Sequence, residues 1–102
     1  MKIQSLSYTD FDNSLMKLFM MNPQHAFTNE RIHDWFINHW QIDLAELKPF
    51  QRQSLAGRLS RSLKRLEHGR IITKNTRVVA LRGGRRVEYQ YRNPAKPNPN
   101  NE

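Results

Sequence analysis

Arginines recur in the second half of this chain at spacings suited to contact with a polyanion. Arg58, Arg61 and Arg65 stand at i, i+3 and i+7 within a leucine-rich stretch. At about 100° per residue they fall on one side of a helix, away from Leu55, Leu59, Leu63 and Leu66. Gln51 and Ser54 extend that strip toward the helix N-terminus, and Lys64 and His68 flank it. A guanidinium group presents a planar fork of donors that fits a phosphate, or guanine O6 and N7, with two parallel hydrogen bonds. A second group, Arg82, Arg85 and Arg86, brackets Gly83-Gly84, a slim turn able to enter a narrow minor groove of enhanced negative potential. At a third place, Thr28, Asn29 and Arg31 open a helix whose first backbone N–H groups can reach a phosphate. Thr28 as a plain N-cap accounts for that residue equally well.

The charge distribution supports an anionic partner. The chain has 102 residues and a formal charge of +8. Residues 1–50 carry 4 of the 17 Lys and Arg against 6 acidic residues, whereas residues 51–102 carry the other 13 against Glu67, Glu88 and Glu102. Such segregation points to duplex DNA, RNA or an anionic membrane, and charge alone does not choose among them. The bland alternatives are a solvated basic helix face, and a charged loop that discourages edge pairing. Against the second, like charges across a hairpin oppose folding slightly, which favours an external anion.

Enzymatic chemistry finds little footing. Cysteine is absent, which removes disulfides, thiolate zinc sites and cysteine nucleophiles. His25, His33, His39 and His68 have no serine or carboxylate beside them in a triad pattern, and His33 and His39 are not at the i, i+4 spacing of helical metal ligands. Gly83-Gly84 is not followed by a helix, so it is no phosphate loop. The expectation is a protein that is not an enzyme, with no cofactor, metal or small-molecule ligand. A chain with 37% hydrophobic residues and a mean hydropathy of −0.83 builds one compact core without a roomy cleft. No apolar run approaches the roughly 20 residues of a membrane span, and the N-terminus lacks signal-peptide features, so a cytoplasmic location without membrane contact is expected.

These side chains need a scaffold. A first helix is expected from Thr9 or Asp10, with Phe11, Leu15, Leu18 and Phe19 on one face and Asn22-Pro23 at its end. A second opens at the N-cap Thr28, with Phe27 stapled onto Ile32 and an apolar stripe through Ile32, Phe36 and Trp40. Trp35 and Trp40 read as core more readily than as a stacking surface. Gln41 to Pro49 reads as a short helical turn or a tight connection. The third helix runs from about Phe50 to His68, with Gly69 as its left-handed terminator. Gly57 inside it costs about 1 kcal/mol relative to alanine, so either something approaches closely there or a surface glycine is tolerated. A hairpin follows, with Gly83-Gly84 as a two-residue turn. Pairing Arg82 with Arg85 sets Ala80 opposite Val87, Val78 opposite Tyr89 and Thr76 opposite Tyr91. Residues 1–92 form the domain, and the Pro- and Asn-rich stretch 93–102 is expected to be a disordered tail.

Three helices with a basic third one, then a hairpin tipped Arg82-Gly83-Gly84-Arg85-Arg86, resemble a winged helix-turn-helix of the bacterial transcriptional-regulator type. The resemblance runs from Phe27 to Arg92. It rests on Phe27-Thr28-x-x-x-Ile32 and on Leu59-x-x-x-Leu63-x-x-Leu66-x-x-Gly69-x-Ile71. It implies an α+β fold, a three-helix core followed by a C-terminal β-hairpin wing. It also implies sequence-specific binding of double-stranded DNA, with the third helix in the major groove and the wing on the minor groove or backbone. Gln51, Ser54, Arg58, Arg61, Lys64, Arg65, Arg82, Arg85, Arg86, Thr28 and Arg31 are then the expected contacts, with Arg58 and Arg61 foremost. Similar regulators work as homodimers, which here would join through Met1 to Tyr8 and the first helix, where Met16, Met20 and Met21 leave apolar surface. Two other roles fit the same residues: a plasmid or phage protein of replication or partition, and a winged-helix module for protein–protein contact.

Overall fold

The computed structural model describes residues 5–79 and 84–92, and for 77–79 the backbone alone. The expected tail over 93–102 and the wing-tip residue Arg82 lie outside the described residues.

Helix α1 spans Tyr8–Met21 and begins one residue before Thr9 and two before Asp10, the expected starts. The reason is a capping box. Ser7 Oγ accepts from the Asp10 N–H at 3.1 Å, and the Asp10 carboxylate accepts from the Ser7 N–H at 2.8 Å. Its C-terminus is closed by Asn22, whose Nδ2 donates to the Leu18 carbonyl at 2.9 Å. After strand β1 (Ala26–Thr28), helix α2 (Asn29–His39) starts at the expected N-cap, Thr28, whose hydroxyl accepts from the Arg31 N–H. The connection to α3 contains a single 3-10 turn, Leu44–Glu46, held by Asp43 at its start.

Helix α3 spans Pro49–His68, with proline at its first position, where the missing N–H costs nothing. Its C-terminus corrects the expected role of Gly69, which stays near helical dihedrals at φ −76°, while Arg70 takes the left-handed position at φ 60°. The Arg70 N–H donates to the Glu67 carbonyl and the Ile71 N–H to the Leu66 carbonyl, the paired bonds of a Schellman terminus. The helix therefore ends one residue later than a terminating glycine at 69 would place it.

Strands β2 (Ile72–Val79) and β3 (Gly84–Tyr91) are antiparallel, and β1 adds to the other side of β3 to give a sheet of order β1-β3-β2. The register differs from the expected one by four residues. Thr76 faces Val87, Lys74 faces Tyr89 and Ile72 faces Tyr91. Gly84 is a strand residue opposite Val79, so it does not belong to the expected two-residue Gly83-Gly84 turn; residues 80–83 lie outside the described ones. Because the shift is even, it moves no side chain to the other face, and Val87, Tyr89 and Tyr91 pack together against the core.

The core joins Phe11, Leu15, Leu18 and Phe19 of α1, Ile32 and Phe36 of α2, Leu55, Leu59, Leu63 and Leu66 of α3, and Ile72 and Tyr89 of the sheet. Phe11 stacks on Phe36 with ring centroids 4.7 Å apart. Phe27 lies in β1 and meets Phe19 edge-on at 5.7 Å, so it ties α1 to the sheet. Trp35 and Trp40 are half-buried against the core, and the Trp40 indole N–H donates to Ser14 Oγ at 3.0 Å. The architecture is α+β, three helices with a small three-stranded antiparallel sheet.

Candidate nucleic-acid interface

Helix α3 presents its basic residues in two directions. The flank carrying Arg58, Ser62 and Arg65 packs on α1. Arg58 Nη2 donates to the Leu6 carbonyl, and its guanidinium lies 4.4 Å from the centre of the Phe11 ring. Arg65 donates to the Asp12 carboxylate from Nε at 3.0 Å and Nη2 at 2.8 Å, and Ser62 donates to the same carboxylate. The Tyr8 ring lies between the two arginines, 6.0 Å from Arg58 and 5.2 Å from Arg65. Both arginines were expected on the outward face. The strip through 58 and 65 borders the leucine stripe, and α1 covers that border. Gln51 is likewise engaged, its Oε1 accepting from the Lys48 N–H at 2.9 Å to cap the helix.

The outward face is rotated from the expected strip. It runs through Phe50, Gln53, Ser54, Gly57, Ser60, Arg61 and Lys64, all exposed except the half-covered Gly57. Among the described residues no ion pair engages Arg61 or Lys64. A Cβ built on Gly57 would meet nothing closer than the Arg61 guanidinium at 3.7 Å, so neither packing nor backbone conformation demands glycine there. The sequence signal for this rotation was available in Ser62, which lies between Arg58 and Arg65 on their flank and is fully buried.

The second basic group is built by a mismatch in strand length. The β1–β3 ladder stops at Thr28 opposite Glu88, and β3 runs on past it through Gly84–Val87. Where β1 ends, the chain turns directly into α2, so the first turn of that helix sits beside the overhanging strand. Thr28, Asn29, Glu30, Arg31, Arg85, Arg86 and Val87 line the open concavity between them, about 370 Å³ in volume. The expected contacts Thr28, Arg31, Arg85 and Arg86 are thus brought together at one place. Arg86 is 3.5 Å from Glu88 and remains 55% exposed, and its register partner on β2 is Arg77. Asn29 also borders a smaller hollow lined by Ile32 and His33 of α2 and by Ala56, Leu59, Ser60 and Leu63 of α3. Asn29 thus borders both hollows, the second of which lies between α2 and the flank of α3 that faces it.

Burial opposes ionisation of Asp12, but hydrogen bonds from Arg65 and Ser62, with the Arg65 charge, outweigh it and hold the carboxyl below its ordinary value of 3.8. The hydrogen bond to Asp12 raises Arg65 in turn. Burial, with the nearby Glu67 charge, raises the Tyr89 phenol.

Among the described residues no group of three or more His, Asp or Glu side chains is gathered to hold a metal ion, and no helix is long and apolar enough to cross a membrane. Of the methionines expected at a dimer surface, Met20 and Met21 are exposed at 53% and 69%, whereas Met16 packs against the core. No family model, curated protein or solved structure matches this chain.

Proposed function

We propose that this chain binds duplex DNA in the manner of a winged helix-turn-helix, with the outward face of α3 in the major groove and the β2–β3 hairpin on the neighbouring backbone. The observation that carries the reading is the gathering of Arg31, Arg85 and Arg86 around the start of α2, where Asn29 also borders the hollow against the Ala56 and Ser60 side of α3. A helix fills a major groove about 12 Å wide, and flanking cations fix its register on the phosphates without reading sequence. Arg61 and Lys64 are the α3 cations in this reading. Arg58 and Arg65 hold the helix against α1 so that its outer face is presented rigidly. Base reading falls to the N-terminal half of the same face, at Gln53 and Ser54, where recognition helices approach base edges. The role that follows is transcriptional regulation.

The test is a titration of a labelled mixed-sequence duplex by fluorescence anisotropy at low salt, with wild type beside the Arg61→Ala/Lys64→Ala variant. Saturable binding that weakens in the variant supports the reading. An absence of binding, or equal affinities, overturns it.

A further inference from the structure

Five phenylalanines are present, and four of them are spent inside the protein: Phe11, Phe19 and Phe36 are buried and Phe27 is half-buried in β1. Phe50 is the exception at 62% exposure. It is the second residue of α3, directly after Pro49, so its backbone is fixed by the helix start. Phe50, Gln53, Gly57 and Lys64 stand at i, i+3, i+7 and i+14, a single stripe opposite Leu55, Leu59 and Leu66. An exposed phenyl ring therefore heads the polar and basic face of α3, next to the uncharged donors Gln53 and Ser54.

We infer that Phe50 contacts the thymine C5-methyl group in the major groove and so biases the chain toward thymine-containing sites, an inference that rests on the duplex-binding reading above. Thymine is the one DNA base with an apolar group on its major-groove edge, and phenylalanine is among the side chains that suit it. Seating the ring on that methyl removes both from water, which an exposed ring on the free protein cannot achieve. Gly57, two turns further along the stripe, adds no side chain of its own, and only the mobile end of Arg61 stands over it. The same ring would find no such partner in double-stranded RNA, whose uracil lacks the methyl and whose major groove is too narrow for side chains to read.

The experiment begins with enrichment of a random duplex pool of about two helical turns on the wild-type protein. The recovered duplexes are then copied once with thymidine and once with deoxyuridine, which differ only in the methyl group. Wild type should bind the deoxyuridine copies about four-fold more weakly for each methyl contacted, the value of burying one methyl-sized apolar group. Phe50→Ala should bind both copies alike, and Phe50→Leu should keep most of the preference. Phe50→Ala should melt with the wild type, since the ring is exposed.

Equal binding of the two copies by wild type overturns the inference, as does a preference that Phe50→Ala retains in full. Loss of self-association in Phe50→Ala with the preference unchanged assigns the ring to a contact between copies, and also overturns it. If wild type enriches no duplex, the DNA reading itself fails, and the inference fails with it.

Discussion

Arg65 holds Asp12 through two nitrogens of its guanidinium, Nε at 3.0 Å and Nη2 at 2.8 Å, across the junction of α3 and α1. The fork joins α3 to α1 on the flank beside buried Leu55, Leu59, Leu63 and Leu66, the stripe that sets the rotation of α3 about its own axis. That rotation decides which side chains of α3 face solvent. Arg65 is 39% exposed and Asp12 27%, so solvent screens the pair, and its value lies in orientation as much as in stability.

Replacing Asp12 with asparagine should therefore cost about 1 kcal/mol of stability at neutral pH, measured by urea denaturation. The folded-state carboxyl titrates below its ordinary value of 3.8, so its contribution is complete above that value. It is lost as the pH falls through the lower folded value. Wild type and Asp12→Asn should converge in stability on acidification below about pH 4, and a gap that stays constant down to pH 2 would contradict this account.

Two arginines three residues apart should behave oppositely. Arg58→Ala removes a hydrogen bond to the Leu6 carbonyl and a cation held over Phe11, and should lower stability by about 1–2 kcal/mol. Arg61→Ala should leave the melting temperature unchanged and weaken duplex binding. Matched thermal melts and anisotropy titrations on the two variants check the split. A stability loss in Arg61→Ala equal to that in Arg58→Ala would show that the outward face is misassigned.

Gly57→Ala separates folding from binding. A Cβ there has room, with its nearest neighbour at 3.7 Å, so alanine should stabilise the helix by up to about 1 kcal/mol. The same methyl lifts the helix from the groove and should weaken duplex binding. A variant that melts higher yet binds as tightly as wild type would mark Gly57 as a tolerated surface glycine.

Sequence periodicity located the three helices because their apolar stripes are long: Phe11 to Phe19, Ile32 to Trp40 and Leu55 to Leu66 each repeat through two or more turns. It did not locate β1, whose three residues are too few to show alternation and which exists only because β3 lies beside it. The hairpin faces were legible while the register was not. A shift of four residues exchanges every partner yet leaves each side chain on its own side, so Val87, Tyr89 and Tyr91 fit either pairing. Among candidate contacts, Arg61, Lys64, Arg85, Arg86, Thr28 and Arg31 were visible as charges or as a cap. The engagement of Arg58 and Arg65 was hidden because it depends on distant partners: Leu6 and Phe11 for Arg58, and for Arg65 Asp12, 53 positions away, whose sequence context reads as helix-dipole charge. Phe50 was passed over because a phenylalanine at a helix start reads as core until its exposure is seen.

The central claim is that the concavity between α2 and β3 holds DNA phosphates and α3 lies in the adjacent groove. Its most direct test is the salt dependence of duplex affinity for wild type and for the Arg31→Ala/Arg85→Ala/Arg86→Ala variant. Log K against log[salt] should be linear for both, with a slope of about −0.9 for each phosphate neutralised. The variant's slope should be shallower by about 2 to 3, with folding unchanged, since all three side chains are exposed. Parallel lines for the two proteins would mean that these arginines meet no phosphate, and would contradict the account.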